Sequence, residues 1–245
     1  RHPGQCVSML LPSPLPSEDG RAYTASSPMR TYDTFIFDSY AFDPERGVIA
    51  LHYTLDDAVR CTETIRLPSK GTVTLRQAQT NSTELDAALL ALHLIGGVSY
   101  YKSCCPRNIA VRSGSLTEEQ AQFWNTVYEN GLGEFFYRNN VDFRGLTKFP
   151  FATPPCPSPC PSPPRGKRKR RVLVPVGGGK DSVVTVEMLR KQEEECTLLR
   201  MERTPRAHPL IEELARVAGL PLLTVHRELS PTLFELNAQG AMNGH

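Results

Sequence analysis

The residues best suited to chemistry lie in one short segment, Gly177-Gly178-Gly179-Lys180-Asp181-Ser182. Three glycines allow a sharp backbone turn and bring amide groups close to a ligand. A helix that is predicted to begin near Asp181 adds its positive end and its free amides, while Ser182 adds a hydroxyl and Lys180 a cation. This set of donors is typical of a loop that binds phosphate or pyrophosphate. The plain alternative is an ordinary strand-to-helix turn with incidental glycines.

Two common phosphate-binding patterns do not fit this segment. A Walker loop requires Ser or Thr after Gly-Lys, whereas Asp181 follows Lys180. The dinucleotide-binding pattern GxGxxG requires glycine where Ser182 stands. The segment instead resembles the SGGxDS signature of the PP-loop ATP pyrophosphatases, with Gly177 in place of the leading serine. This resemblance implies that residues 177–182 bind ATP and that Asp181 lies beside magnesium, because a carboxylate facing a polyphosphate needs a cation between them.

The pattern of residues 171–245 predicts an α/β unit around this loop. Short apolar strands are predicted at 172–176, 196–201 and 222–225, with helices at 181–194 and 209–218 between them. Gly219 ends the second helix, and Ser230-Pro231 begins a further one. Strands that alternate with helices at this spacing predict a parallel sheet with right-handed crossovers. A complete PP-loop domain has more strands, so we expect a truncated domain with an exposed sheet edge and a chain that is a fragment.

Residues 31–150 predict an α+β unit that precedes the loop. Three strands are predicted at 35–42, 48–53 and 61–67, as an antiparallel meander. The turn Asp43–Gly47 joins the first two. One helix is predicted from Ser82 or Thr83 toward Tyr100, and another begins at a capping box of Thr117 and Gln120.

Two segments lack the pattern of folded structure. Residues 1–30 are rich in Ser and Pro and are expected to form a disordered leader, with a transit-peptide remnant as the alternative. Residues 154–164 hold seven prolines in eleven positions, which excludes a helix or a central strand, and six positive charges follow in 165–171. We assign 151–170 as a Pro/Cys/basic linker insert. For its basic run, a solvated flank is favoured over a nuclear-localisation or polyanion-binding signal.

The composition excludes several classes of protein. Hydrophobic residues make up 40% of the 245 residues and charged residues 22%, as in ordinary soluble globular proteins. No apolar stretch is long enough to span a membrane, and acidic residues outnumber basic ones outside 165–171, so we expect neither a membrane nor a specific nucleic-acid partner. The seven cysteines are odd in number and irregularly spaced, which argues against a disulfide framework. Cys156 and Cys160 have no second pair for a zinc site.

A wider resemblance emerges when the loop is taken with five other segments in the same order. These segments are Phe37–Tyr40, Leu51–Tyr53, Ser99–Lys102, Asn130–Asn139, Val176–Ser182 and Glu235–His245. Together they resemble the ATP-dependent UDP-N-acetylmuramoyl-L-alanyl-L-glutamate epimerases of bacterial peptidoglycan and cell-wall synthesis. The resemblance covers about residues 32–150, as a substrate-side domain, and 171–245, as an incomplete nucleotide domain of the adenine nucleotide alpha-hydrolase type.

This resemblance implies an isomerase with ATP and Mg²⁺ as cofactors and a UDP-MurNAc-dipeptide as substrate. The terminal L-Glu would become D-Glu through an acyl adenylate, with release of AMP and pyrophosphate. An adenylate removes the charge of the carboxylate, so that a base can take the α-proton and an acid can return it on the other face. The implied location is the cytoplasm, or a plastid if the source is eukaryotic.

The proton-transfer residues are not assigned by the sequence. Lys102, Tyr137 and Arg138 are candidates, because a cation beside aromatic residues can steady a carboxylate or a phosphate. The alternative is that the tyrosine packs in the core and that the two cations are surface charges. Two other functions stay open: a different PP-loop enzyme that adenylates a carbonyl for amidation or thiolation, and an inactive nucleotide-binding fragment.

Overall fold

A computed structural model describes residues 31–68, 82–152, 171–192, 194–203 and 209–242. The leader, most of the Pro/Cys/basic insert and the last three residues lie outside these ranges. The strands are β1 (Thr34–Asp43), β2 (Val48–Leu55), β3 (Val59–Arg66), β4 (Asn108–Val111), β5 (Arg171–Pro175), β6 (Glu195–Glu202) and β7 (Leu222–Glu228). The helices are α1 (Ser82–Gly96), α2 (Val98–Tyr101), α3 (Glu118–Gly131), α4 (Gly133–Arg138), α5 (Lys180–Lys191), α6 (Pro209–Ala218) and α7 (Pro231–Ala238).

The strands of the described residues form one mixed sheet in the order β4-β1-β2-β3-β7-β6-β5. The antiparallel meander β1-β2-β3 and the parallel group β5-β6-β7 are both confirmed. β3 pairs antiparallel with β7, so that the sheet runs without a break from one predicted unit into the other. The fold is therefore α+β, and the division into separate domains stays a prediction.

The local signals in the sequence are confirmed in detail. The carboxylate of Asp43 accepts hydrogen bonds from the amides of Glu45 and Arg46, and Gly47 takes a φ of +64° to close that turn. The side chain of Thr117 accepts from the amide of Gln120 at 3.2 Å, and the side chain of Gln120 accepts from the amide of Thr117 at 2.9 Å. Each hydrogen bond satisfies a backbone donor that a turn or a helix end leaves open.

The prediction of one helix from Ser82 toward Tyr100 is wrong at Gly96 and Gly97. There α1 ends and the short α2 begins. A side chain at Gly96 would lie 2.6 Å from the hydroxyl of Tyr53, and one at Gly97 would overlap the ring of Phe37. The two glycines thus allow the chain to press closely against the aromatic face of the sheet.

The strand β4 is not predicted by the sequence. It pairs in parallel with the first half of β1 and lies at one outer edge of the described sheet, opposite β5. With four residues it is too short to show the alternation by which the other strands are recognised.

Two hydrophobic cores lie along the sheet. The larger is built mainly from the aromatic residues of β1, β2 and α2 to α4 together with leucines of α1, and it also takes in Val225 of β7 with Leu233 and Leu236 of α7. The smaller holds Val174, Val176, Val186, Leu198, Ile211 and Ala215 between β5, β6, α5 and α6. Although β7 and α7 follow the loop in sequence, they pack with the first half of the chain.

Candidate functional site

The carboxyl ends of β5, β6 and β7 meet at one edge of the sheet because the three strands are parallel. The glycine loop follows β5, Arg203 follows β6, and Leu229 follows β7. Since neighbouring strands lie ~4.8 Å apart, the loop and the end of β7 are separated by ~10 Å across the sheet. Ligands of open α/β sheets bind outside the carboxyl ends of the strands, which makes this edge the candidate site.

The glycine loop presents a row of backbone amides at the start of α5. Gly178 has a φ of +79°, and Gly179 is the N-cap of the helix. The hydroxyl of Ser182 accepts a hydrogen bond from the amide of Gly177 at 3.2 Å, which closes the loop on itself. Within the described part of the chain, the amides of residues 178–181 donate to no acceptor. Such a row of open donors at a helix N-terminus has the geometry of an anion nest.

The space in front of this loop is open. A side chain added at Gly177 or at Gly179 would meet no atom within 4 Å, so a ligand can approach the backbone there. Lys180 and Asp181 occupy the first turn of α5 and are exposed. Among the residues that the structure describes, no group of three His, Cys, Asp or Glu side chains could hold a metal ion. Asp181 suits magnesium as a single carboxylate that shares the ion with phosphate oxygens, which is how nucleotide-bound magnesium is held.

An open pocket of about 190 Å³ lies further along the same edge, between α2, α7 and the ends of β6 and β7. Three cationic side chains line it: Lys102, Arg203 and Arg227. Its other described lining residues are polar or apolar and include neither Asp nor Glu; they are Ser99, Leu229, Leu233, Phe234, Asn237 and Met242. The pocket is therefore positively charged.

Arg227 is fixed by a buried carboxylate from the other half of the sheet. Its Nε and Nη2 atoms donate to the two oxygens of Glu63 at 2.7 Å and 2.9 Å, and Glu63 is 1% exposed. Nη2 also donates to the hydroxyl of Ser99 at 3.0 Å. Although burial lowers the pKa of Arg227, the hydrogen bonds and the charge of Glu63 outweigh it and raise that pKa. The guanidinium is thus charged and held in one orientation.

Hydrogen bonds between α2, with the residues that follow it, and the segments on either side of α7 hold the walls of the pocket together. The amide of Ser230 donates to the hydroxyl of Tyr100 at 3.0 Å. Burial raises the pKa of Tyr100, so this hydroxyl stays protonated. The amide of Met242 donates to the carbonyl of Ser103 at 2.9 Å, which fixes the chain after α7.

The opposite face of β6 and β7 carries a second ionic group. His226 precedes Arg227 in the strand and so points to the other side of the sheet. Its Nδ1 atom lies 3.2 Å from the carboxylate of Glu202, which is 8% exposed. Arg200 lies 3.3 Å from the same carboxylate and 3.3 Å from Glu212 of α6.

The three residues that the sequence suggests as candidates do not lie together in the structure. Lys102 lines the cationic pocket. Tyr137 is 83% exposed on α4, and Arg138 bonds to Glu134 at 2.8 Å one turn earlier in that helix; neither lines the pocket. Arg203 and Arg227 are not among the residues predicted from the sequence, although both stand at the carboxyl ends of correctly predicted parallel strands, where ligand-binding residues collect.

Comparison with known proteins gives one family. Residues 26–245 match the model described as the MurL N-terminal domain. Three curated relatives carry the name UDP-N-acetyl-alpha-D-muramoyl-L-alanyl-L-glutamate epimerase. The protein of Xanthomonas oryzae pv. oryzae is 40% identical over 86% of this chain and 45% of its own length. Those of Salinispora tropica and a Micromonospora species are 36% and 35% identical over 89% of this chain.

The chain spans about half the length of these relatives, since it covers 45%, 46% and 47% of them. No solved structure matches it. None of the helices in the described ranges is both long and apolar enough to cross a lipid bilayer.

Proposed function

We propose that this chain, which belongs to the MurL N-terminal domain family, takes part in an epimerisation of peptidoglycan precursors. The substrate is a UDP-MurNAc-dipeptide, whose terminal L-glutamate becomes D-glutamate in the cytoplasm. The names of the three relatives support this reaction. The chain is at least 35% identical to each of them over most of its own length.

The proposal includes a dependence on ATP and Mg²⁺. One observation carries it: the amides of residues 178–181 at the start of α5 donate to no described acceptor, and the backbone at Gly177 and Gly179 can be approached from outside. Residues 177–182 hold the phosphates, Lys180 adds a positive charge, and Asp181 shares the magnesium ion with them. When bound, ATP supplies an adenylyl group.

The proposed reaction begins with the α-carboxylate of the glutamate. One of its oxygens attacks the α-phosphorus of ATP, the bond from that phosphorus to the bridging oxygen breaks, and pyrophosphate leaves. The resulting acyl adenylate no longer carries the carboxylate charge, so a base can remove the α-proton and an acid can return a proton on the opposite face. Water then releases AMP and the D-glutamyl product.

The test is an incubation of the full chain with UDP-MurNAc-L-Ala-L-Glu, ATP and Mg²⁺, followed by assays of AMP and of D-glutamate after acid hydrolysis. We expect both products, and we expect Lys180→Met to lower their rate about tenfold or more, because it removes a charge-assisted contact to phosphate. Lys148→Met is the matched control, since Lys148 is an exposed lysine outside the candidate site.

Three results would each contradict part of the proposal. AMP without D-glutamate would favour an adenylating enzyme of the amidation or thiolation type. Calorimetric binding of ATP without AMP would favour a nucleotide-binding fragment. Absence of ATP binding would remove the role of the glycine loop.

A further inference from the structure

The cationic pocket is assembled from three distant parts of the chain. Lys102 comes from the end of α2, Arg203 from the end of β6, and Arg227 from the end of β7. Like charges gathered in one pocket repel each other, and Glu63 neutralises Arg227 alone. In the described ranges neither Lys102 nor Arg203 forms an ion pair. Two positive charges therefore face the pocket without a partner of the opposite sign.

The guanidinium groups of this pocket are arranged to donate. With Nε and Nη2 of Arg227 committed to Glu63 and Ser99, its Nη1 donates to no described residue. The guanidinium carbon of Arg203 lies 5.7 Å from the ring centre of Phe234, a cation–π contact that limits the positions of this side chain. The planar guanidinium of Arg203 can bind a carboxylate with two hydrogen bonds, and Arg227 adds the N–H donors of its Nη1.

The remaining wall selects among anions. The pocket has an apolar side, formed by Leu229, Leu233 and Met242. A fully polar ion such as pyrophosphate would make no favourable contact with that side. A carboxylate on a short hydrocarbon arm fits both sides, because its oxygens meet the cations and its methylenes meet the leucines. The volume of about 190 Å³ suits one such arm. Drug-sized ligands instead occupy pockets of ~300–1,000 Å³.

We propose that this pocket binds the side-chain carboxylate of the terminal glutamyl residue of the substrate. The identity of the arm rests on the proposed function, whereas the anion site itself rests on the three cations and the apolar wall. The pocket and the glycine loop share one edge of the sheet, so an anchored side-chain carboxylate leaves the α-carboxylate directed toward the nucleotide. The pocket thereby determines which of the two carboxylates is adenylated.

The experiment is calorimetry on the full chain without nucleotide, with L-alanyl-L-glutamate as the probe. We expect binding that weakens about tenfold in Lys102→Met and in Arg203→Gln, because each loses a charge-assisted hydrogen bond. L-alanyl-L-glutamine, which lacks the side-chain carboxylate, should bind at least tenfold more weakly than L-alanyl-L-glutamate. Lys148→Met makes the same charge change outside the pocket and should leave binding unchanged. Thermal unfolding of each variant verifies that it is folded.

The proposal is overturned if the chain does not bind L-alanyl-L-glutamate, if L-alanyl-L-glutamine binds equally well, or if neither pocket variant weakens binding. A titration with inorganic pyrophosphate tests the alternative ligand. If the wild-type chain binds pyrophosphate but not the dipeptide, and Lys102→Met loses the pyrophosphate binding, the pocket is a phosphate site and the glutamyl assignment is refuted. A separate ATP titration distinguishes the two proposals. Loss of ATP binding in Lys180→Met with intact dipeptide binding supports separate sites, and a wild-type chain that binds the dipeptide but not ATP contradicts only the ATP-dependent function.

Discussion

The buried ion pair between Glu63 and Arg227 allows a quantitative test of the structure. The variant Arg227→Met keeps an apolar stem in place but removes the two hydrogen bonds at 2.7 Å and 2.9 Å to a carboxylate that is 1% exposed. An unpaired buried charge costs about 3–5 kcal/mol, which is a large share of the ~5–15 kcal/mol by which domains are stable. We therefore expect the free energy of unfolding to fall by about 3–5 kcal/mol.

Urea unfolding measures this change. The single tryptophan, Trp124, is 9% exposed in the larger core, so its fluorescence reports on the unfolding of that core. Circular dichroism follows the loss of the helices. The matched control is Arg138→Met, which breaks an exposed pair with Glu134 in α4 and should cost only ~0–0.5 kcal/mol. The double variant Glu63→Gln with Arg227→Met should be more stable than Arg227→Met alone, because no buried charge is then left unpaired.

Two results would contradict this expectation: a free energy of unfolding of Arg227→Met within about 1 kcal/mol of the wild type, or a double variant that is less stable than the single one. Either result would mean that β3 and β7 are not joined through this pair, and that water reaches Glu63 in the native protein.

Three further predictions concern other parts of the fold. Gly178→Ala should lower the free energy of unfolding in urea by about 1–2 kcal/mol and weaken ATP binding in a titration, because φ is +79° there. Gly179→Ala, at a φ of −83°, should have a smaller effect on both, and equal losses of stability in the two variants would contradict this. Burial lowers the pKa of His93 to about 4, so stability should be full above pH 6.5 and fall by up to about 3 kcal/mol between pH 6.5 and 4. Unfolding midpoints in His93→Gln should lack this pH dependence, and an unchanged slope would show that another group causes it. Thr117→Ala should lower the free energy of unfolding by about 1 kcal/mol through loss of the cap, and a neutral result would mean that α3 is held by packing alone.

Local signals in the sequence predict most elements of this fold, and long-range pairing explains the rest. The turn at Asp43–Gly47 and the capping box at Thr117 depend on neighbouring residues, so they can be recognised without knowledge of the fold. The pairing of β3 with β7 depends on residues far apart in the chain, and no local pattern reports it. The break at Gly96 depends on the hydroxyl of Tyr53, which lies on a strand some forty residues earlier in the chain. The same hydroxyl donates to the carbonyl of His93, at a sequence separation of 40 residues.

The candidate site likewise has one part that local sequence predicts and one part that only the tertiary structure brings together. The glycine loop is a contiguous motif, so its residues can be predicted from composition and spacing, although binding by it stays a prediction. The cationic pocket is assembled by tertiary structure from Lys102, Arg203 and Arg227, of which only Lys102 was a candidate. Tyr137 and Arg138 belong to a segment that resembles the family, but α4 turns both of them toward solvent.

The contact of β3 with β7 also bears on how the polypeptide reaches its native state. Glu63 and Arg227 are 164 positions apart, so this part of the sheet cannot form during synthesis until nearly all of the described chain has left the ribosome. Until then the outer side of β3 offers unpaired backbone groups, and a meander with such a side is prone to add a strand from a neighbouring molecule. Contacts of this separation form slowly, because a long loop must close first. The yield of correctly folded protein should therefore depend on concentration during refolding, with the aromatic meander as the segment that associates first.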